Sequence, residues 1–192
     1  MAMRSEEKIL KRLENKALHY LGRYASTESR LREVLTRFAK RKMDDEDPEH
    51  MRSLIDQMVS SCVAKGYVND KLFAEQKTAS LRRSGGSRIA ISRKLMQRGV
   101  DQEIIKEAIH DFDDDYERDH DHDAELQSAL IYARKRRLGP YAKPPIGQTE
   151  MKEGWQTRHY ASFARAGFTG KTISTVMSFK SPEDAEEYLL HH

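Results

Sequence analysis

The sequence predicts an all-α fold, built as an elongated tandem array of three three-helix repeats that resemble helix-turn-helix units. Apolar residues recur at helical spacings of three, four and seven, and no segment alternates as a strand does. One pattern also recurs three times: Thr27, Leu31, Leu35, Ala39; then Ser87, Ile91, Leu95, Gly99; then Trp155, His159, Phe163, Gly167. Repeats of roughly 50 to 60 residues have small cores and stack on their neighbours. We expect the repeats at residues 1–66, 67–118 and 119–192.

The first repeat is predicted to contain three helices. The first spans about residues 5–24, with an apolar face that includes Tyr24. Thr27 caps the second helix, which ends near residue 42, and Pro48 opens the third. Gly66 then ends the third helix, and Asn69 or Asp70 caps the next one. The apolar stripe of the third helix is unbroken: Met51, Leu54, Ile55, Met58, Val59, Cys62 and Val63.

The second and third repeats follow the same plan. Helices are predicted over residues 70–83, from Ser87 to a cap at Gly99, and from residue 101 to about Phe112. The residues 111–125 that follow are interpreted as an acidic, solvated linker. The third repeat is predicted to hold helices beginning near Leu126, over residues 151–166 and 169–177, and a short one over 182–188.

Charge is distributed unevenly along the chain. Lys and Arg outnumber Asp and Glu by 12 to 5 in residues 1–43, by 9 to 3 in residues 71–106 and by 10 to 2 in residues 126–180. Basic segments joined by acidic ones indicate an anionic, periodic partner or a protein with complementary patches, although solvated helix surface explains single clusters equally well.

With one cysteine, no long apolar run and a charged amino terminus, we expect a cytoplasmic protein without a membrane segment.

Two groups of cations are the candidate binding residues. The turn Gly85-Gly86-Ser87 precedes a helix and could hold a phosphate or a partner's carboxylate. The second group lies at residues 134–137, at the end of a predicted helix and immediately before a Gly-Pro break. It could bind a phosphate or an acidic surface, and the competing explanation is that these cations complement the helix dipole. The first group comprises Arg82, Arg83 and Arg88 beside the turn, with Arg93 and Lys94 on the outer surface of the next helix; the second comprises Arg134, Lys135, Arg136 and Arg137.

The sequence contains no pattern typical of an enzyme. Cys62 lies on an apolar stripe, so we interpret it as a core residue and not a nucleophile. His120 and His122 alternate with aspartates, but this spacing matches neither a two-histidine helix motif nor a calcium loop. The acidic residues fall in predicted linkers, where burial would not change their pKa values. We therefore expect no catalytic residue, no cofactor and no bound metal.

Three groups of residues occur together in this chain: residues 17–21 leading to Thr27, Leu31, Arg32 and Leu35; residues 66–70 with Phe73-Ala74; and Arg82-Arg83, Gly85, Ile91, Leu95 and residues 98–100. In these residues the chain resembles the RecX family of bacterial recombination regulators. The resemblance covers about residues 14–113 well and the third repeat more weakly. Asn69 stands where the family usually has Asp, a change that a helix cap tolerates.

The resemblance implies a partner and a mode of action. Proteins of this family lie in the helical groove of the RecA filament on single-stranded DNA and restrain its ATP turnover, strand exchange and co-protease activity. We accordingly expect a non-enzymatic monomer that binds the RecA filament, and single-stranded DNA weakly and without sequence preference. A helix-turn-helix transcriptional regulator is the main alternative, and a metal-dependent hydrolase using the Asp/His segment is the third.

Overall fold

The computed structural model describes residues 2–43, 47–120, 123–144 and 153–191. Within these ranges the chain forms α-helices and one 3₁₀ turn, and no strand is present, so the predicted all-α class is confirmed. The helices are α1 (Ala2–Leu21), α2 (Glu28–Lys42), α3 (Pro48–Ala64), α4 (Asp70–Arg82), α5 (Arg88–Met96), α6 (Gln102–Asp119), α7 (Ala124–Arg136), α8 (Trp155–Ala166), α9 (Gly170–Ser178) and α10 (Pro182–His191), with the 3₁₀ turn at Gly139–Tyr141.

Glycines end several helices by the predicted local mechanism. Gly66 has φ 72°, its N–H donates to the Val63 carbonyl at 2.8 Å, and the Tyr67 N–H donates to the Cys62 carbonyl at 2.9 Å. This pair of bonds is a Schellman motif, which needs a residue in the left-handed region. The same pair of bonds ends α5 at Gly99 and α8 at Gly167. These three predicted helix ends are confirmed.

The chain divides into two compact units that cut across α4, α5 and α6. Unit 1 comprises Met1–Ala74 with Leu95–Ile104, and unit 2 comprises Glu75–Lys94 with Ile105–His192. The three repeat ranges remain a prediction, because the division into two compact units does not test where each repeat begins and ends.

Unit 1 has a core formed by α1, α2 and α3. Thr27 caps α2, as predicted, and its hydroxyl also donates to the Arg98 carbonyl at 2.6 Å. Asn69 caps α4, whereas Asp70 accepts a hydrogen bond from the Glu28 N–H at the start of α2. The core side chains are Ile9, Leu13, Ala17, Leu31, Leu35, Ala39, Met43, Met51, Leu54, Ile55, Met58, Val59, Cys62 and Val68.

Unit 2 has its own core, in which α7, α8 and α9 supply most of the side chains. Phe163 is completely buried, and its ring lies 5.5 Å from that of Tyr132 and 5.9 Å from that of Phe168. The core side chains are Leu126, Ala129, Leu130, Ala133, Leu138, Phe163, Phe168, Ile173, Val176 and Ala185.

Four helix boundaries differ from the predictions. Tyr24 lies beyond the end of α1 and is 58% exposed, because the chain turns at Gly22 after Leu21. Helix α6 continues to Asp119, through residues interpreted above as a solvated linker. Helix α10 extends to His191, three residues past its predicted end at residue 188. Helix α8 begins at Trp155, with Gly154 as its N-cap, and so starts later than predicted; residue 151 itself lies outside the described residues.

Candidate functional site

Arg82 lies in the interior of unit 2 and binds two carboxylates. Its side chain is 2% exposed; Nη2 lies 2.6 Å from Asp113 Oδ2, and Nη1 lies 2.5 Å from Glu125 Oε2. A guanidinium suits this position because its planar fork can donate to both partners at once. This corrects the prediction that Arg82 contacts a partner, since the residue joins α4 to α6 and α7 inside the fold.

Glu125 also occupies the position predicted for an external anion. The Arg88 N–H, at the start of α5, donates to Glu125 Oε2 at 3.0 Å. Helix N-termini favour negative charge, so the turn before α5 does bind a carboxylate, but an internal one. The Arg88 side chain is half exposed and donates from Nε to Asp113 Oδ2 at 2.6 Å. Part of its donor capacity is therefore used within the fold.

Burial of Asp113 and Glu125 corrects a second prediction. These carboxylates fall in the stretch interpreted as a solvated linker, yet they are 2% and 3% exposed. Buried charges are stable only when they are paired and hydrogen-bonded, and Arg82 and Arg88 pair with Asp113 Oδ2 and Glu125. Asp113 Oδ1 and Arg82 Nε are buried without a hydrogen-bond partner among the described residues. The acidic stretch therefore contains structural residues.

A close approach between the α4–α5 turn and α7 forms one side of a cleft. Gly85 has φ 82°, and a Cβ placed on it would lie 2.8 Å from the Tyr132 backbone nitrogen and 3.0 Å from the Ser128 carbonyl oxygen. Only glycine tolerates both the positive φ and this contact. The turn can therefore lie directly against α7.

The resulting cleft, which we call the basic cleft, has a volume of about 560 Å³. Three cations line it: Lys94 from α5, Arg136 from α7 and Arg165 from α8. No Asp or Glu is among the residues that line it in the described part of the chain. The remaining lining residues are Leu81, Ser84, Gly85, Gly86, Ser87, Ala90, Tyr132, Ser162 and Ala166. Three like charges without a lining carboxylate make an anion the complementary ligand.

Tyr132 helps to position one of these cations. The Arg136 guanidinium carbon lies 5.9 Å from the centre of the Tyr132 ring, within the range of a cation–π contact. The Tyr132 hydroxyl lies 3.3 Å from the Ser162 hydroxyl on α8. The ring also packs against Phe163 and Phe168, which fixes it in the unit 2 core.

The other predicted cations lie at the surface, in different environments. Arg83 and Arg93 are exposed, and Ile91 and Leu95 form the buried face of α5 as predicted. Arg134 lies 3.4 Å from Glu186, and Lys135 donates to the Ser84 carbonyl at 2.9 Å. Arg137 is exposed and ends α7 in the left-handed conformation, with φ 55°. The structure thus brings Lys94 and Arg136 together, and it adds Arg165, which was not predicted.

The remaining candidate residues are Cys62 and the two histidines of the Asp/His segment. Cys62 is 3% exposed, as predicted for a core residue, and burial raises the pKa of its thiol. His120 is exposed and stacks on Tyr116 with ring centres 4.1 Å apart, while His122 lies outside the described residues. Among described residues, no group of three His, Cys, Asp or Glu could hold a metal ion. None of the described helices is both long and apolar enough to cross a membrane.

Comparisons with known proteins identify relatives along most of the chain. A family model described as "RecX, second three-helix domain" matches residues 69–109, which begin within the turn before α4 and end within α6. The Regulatory protein RecX of Myxococcus xanthus is 37% identical over 159 residues, covering 82% of this chain and 79% of that protein. The Regulatory protein RecX of Agrobacterium fabrum is 29% identical over 188 residues, covering 98% of this chain and 93% of that protein.

A solved structure supports the same fold. The crystal structure of RecX from Lactobacillus salivarius matches with a TM-score of 0.64 over 96% of this chain and 99% of that one, at 18% identity.

Proposed function

This chain belongs to the RecX family, and from that premise we propose that it is a non-enzymatic regulator of the RecA recombinase. It binds the RecA filament on single-stranded DNA, in the helical groove, and it restrains ATP turnover, strand exchange and co-protease activity. The relatives reported above are named regulatory proteins, which supports the regulatory part of this proposal.

The observation that supports filament binding most directly is the basic cleft. Lys94, Arg136 and Arg165 come from three different helices and line a cleft without a carboxylate. A RecA filament on DNA offers acidic protein surface and phosphates, both of which complement these charges. Arg83, Arg93 and Arg137 are also exposed, so they are further candidates for this contact. Arg82 is excluded from this surface because it is buried.

Binding of this kind restrains the filament without chemistry. A protein that contacts neighbouring RecA protomers and the DNA at once stabilises the arrangement to which it binds. It therefore opposes the protomer movements that turnover and strand exchange require. The cleft supplies the electrostatic part of that binding, so binding should weaken as salt is raised. In this proposal the protein acts as a monomer, and its affinity for free single-stranded DNA is weak and independent of sequence.

The test is RecA ATPase activity on single-stranded DNA at increasing concentrations of this protein. The variant Lys94→Gln/Arg136→Gln/Arg165→Gln removes three positive charges from the cleft. The matched control Lys8→Gln/Lys11→Gln/Arg23→Gln removes three from exposed positions in unit 1. The concentration for half-maximal inhibition should rise about tenfold or more in the cleft variant, because charge-assisted contacts contribute about 1.5 to 3 kcal/mol each. It should change little in the control.

Three outcomes would contradict the proposal or part of it. No inhibition by the unmodified protein would overturn the proposed function. Equal inhibition by the cleft variant and the unmodified protein would remove the basic cleft from the interface. Tight, sequence-selective binding of duplex DNA at physiological salt would favour the helix-turn-helix transcriptional regulator instead.

A further inference from the structure

A second cleft in unit 2 is lined by aromatic side chains. Trp155 and Tyr160 from α8 line it together with Phe179 and Lys180, which follow α9. Its volume is about 700 Å³, within the range of ligand sites. Lys180 is the sole charged residue among its described lining residues. We call this the aromatic cleft.

Contacts around the aromatic cleft hold its rings in place. The Trp155 ring meets His159 edge to face, with ring centres 5.0 Å apart, and His159 Nδ1 accepts a hydrogen bond from the Gly139 N–H at 3.2 Å. Burial and the nearby Arg158 charge lower the pKa of His159, which favours the neutral imidazole that this bond requires. Trp155 is thus tied through His159 to the 3₁₀ turn.

The other two rings are also positioned by neighbours. A Cβ on Gly170 would lie 3.0 Å from the Tyr160 hydroxyl, so glycine at this position leaves room for that side chain. Phe179 packs against Tyr188 of α10, with ring centres 5.4 Å apart. Despite these contacts Tyr160 is 44% exposed, so part of its ring is open to a ligand.

This combination of groups matches the chemistry of an unpaired nucleotide. Aromatic rings stack with bases of any sequence, and a lysine binds the adjoining phosphate. Gln156, Thr157 and Ser174 also line the cleft and can hydrogen-bond to base edges. An acidic peptide is a poorer fit, because a single lysine offers little charge to a segment with several carboxylates.

We propose that the aromatic cleft binds unpaired bases of single-stranded DNA, stacked on Trp155 and Tyr160, with Lys180 at a backbone phosphate. This inference rests on the proposed function, because it assigns to one cleft the contact with the DNA of the filament. In a duplex the base faces are covered by their neighbours, so this cleft selects single strands. In the basic cleft the lining aromatic residue is Tyr132, whose ring packs against Phe163 and Phe168 and lies beneath the Arg136 guanidinium.

Trp155 provides a direct measurement, because it is the single tryptophan of the sequence. The full-length protein is titrated with end-labelled oligothymidylate, with an abasic oligomer of the same length, and with a duplex. Label anisotropy reports binding, and Trp155 fluorescence reports stacking. Oligothymidylate should quench the fluorescence in a saturable manner, whereas the abasic oligomer and the duplex should not, even where anisotropy shows them bound.

Two variants test the assignment of residues while keeping the tryptophan. Tyr160→Leu should weaken oligothymidylate binding about fivefold or more, the loss expected for one stacked base. Lys180→Gln should reduce the dependence of binding on salt by about 0.7 in slope, the contribution of one phosphate on a single strand. The matched control Tyr24→Leu changes an exposed tyrosine of unit 1 and should leave both quantities unchanged.

The outcomes separate this inference from the proposed function. Equal quenching by the abasic oligomer, or unchanged affinity in Tyr160→Leu, would overturn base stacking. Quenching by thymidine monophosphate at the same nucleotide concentration would point to a free nucleotide and overturn the assignment to DNA. Inhibition of RecA ATPase without quenching by oligothymidylate would overturn this inference alone. Quenching without inhibition would instead overturn the proposed function.

Discussion

Arg82 provides the sharpest test of how unit 2 is held together. Arg82→Met removes the guanidinium and leaves two carboxylates buried, at 2% and 3% exposure for Asp113 and Glu125. Breaking a buried ion pair by removing one partner costs about 3 to 5 kcal/mol. Both carboxylates keep a bond to Arg88, from its Nε to Asp113 and from its N–H to Glu125. We therefore expect a loss of about 3 kcal/mol, at the lower end of that range.

The measurement is urea unfolding followed by Trp155 fluorescence, since Trp155 and Arg82 belong to the same unit. Arg83→Met is the matched control, because the neighbouring arginine is exposed and its loss should change the free energy of unfolding by less than about 0.5 kcal/mol. A loss below about 1 kcal/mol in Arg82→Met would refute the view that this arginine neutralises the buried carboxylates.

A compensated variant distinguishes lost pairing from lost packing. Arg82→Met/Asp113→Leu/Glu125→Gln replaces the ion network, while glutamine keeps an acceptor for the Arg88 N–H. Replacing a whole buried ion pair with uncharged groups is often neutral. The triple variant should therefore recover most of the stability lost in Arg82→Met. If it is as unstable as the single variant, packing of the arginine stem explains the loss.

Three further predictions concern α5 and α8. Leu95→Ala removes a fully buried side chain and should cost about 2 to 4 kcal/mol of unfolding free energy, measured by circular dichroism during urea unfolding. Arg93→Glu should leave stability nearly unchanged, but weaken binding to the RecA filament; full inhibition by this variant would exclude Arg93 from the interface. Because the pKa of His159 is lowered in the folded state, the unfolded chain binds more protons below about pH 6.5. Stability of unit 2 should therefore fall from pH 7 to pH 5, and the drop should be smaller in His159→Gln.

Helix positions and ends followed from local features of the sequence. The glycine caps at Gly66, Gly99 and Gly167 depend on hydrogen bonds between residues up to five positions apart, and on a φ that glycine adopts freely. The buried face of α5 followed in the same way from the four-residue spacing of Ile91 and Leu95. Predictions of this kind depend on nothing outside the segment itself.

The candidate site was only partly predictable, because it depends on contacts between residues that are far apart in the sequence. Arg82 and Arg83 are neighbours of the same type, and nothing in the local pattern identifies which one is buried. The register of α4 against α6 and α7 decides it, by placing Arg82 beside carboxylates 31 and 43 residues further along the chain. The same ion pairs explain why Asp113 and Glu125 are buried, although the sequence pattern placed them in a linker.

The sequence by itself determined the all-α class, most helix limits and the basic character of the segments, because these depend on spacing and composition. Only the tertiary structure decided which charges meet. Lys94, Arg136 and Arg165 line one cleft because α5, α7 and α8 pack around it, with Gly85 close against α7. Trp155 lies near Phe179 and Lys180 because α8 packs on α9. Charge is long-ranged and non-directional, so a cation's partner is set by the packing of the helices that carry it and not by its neighbours in sequence.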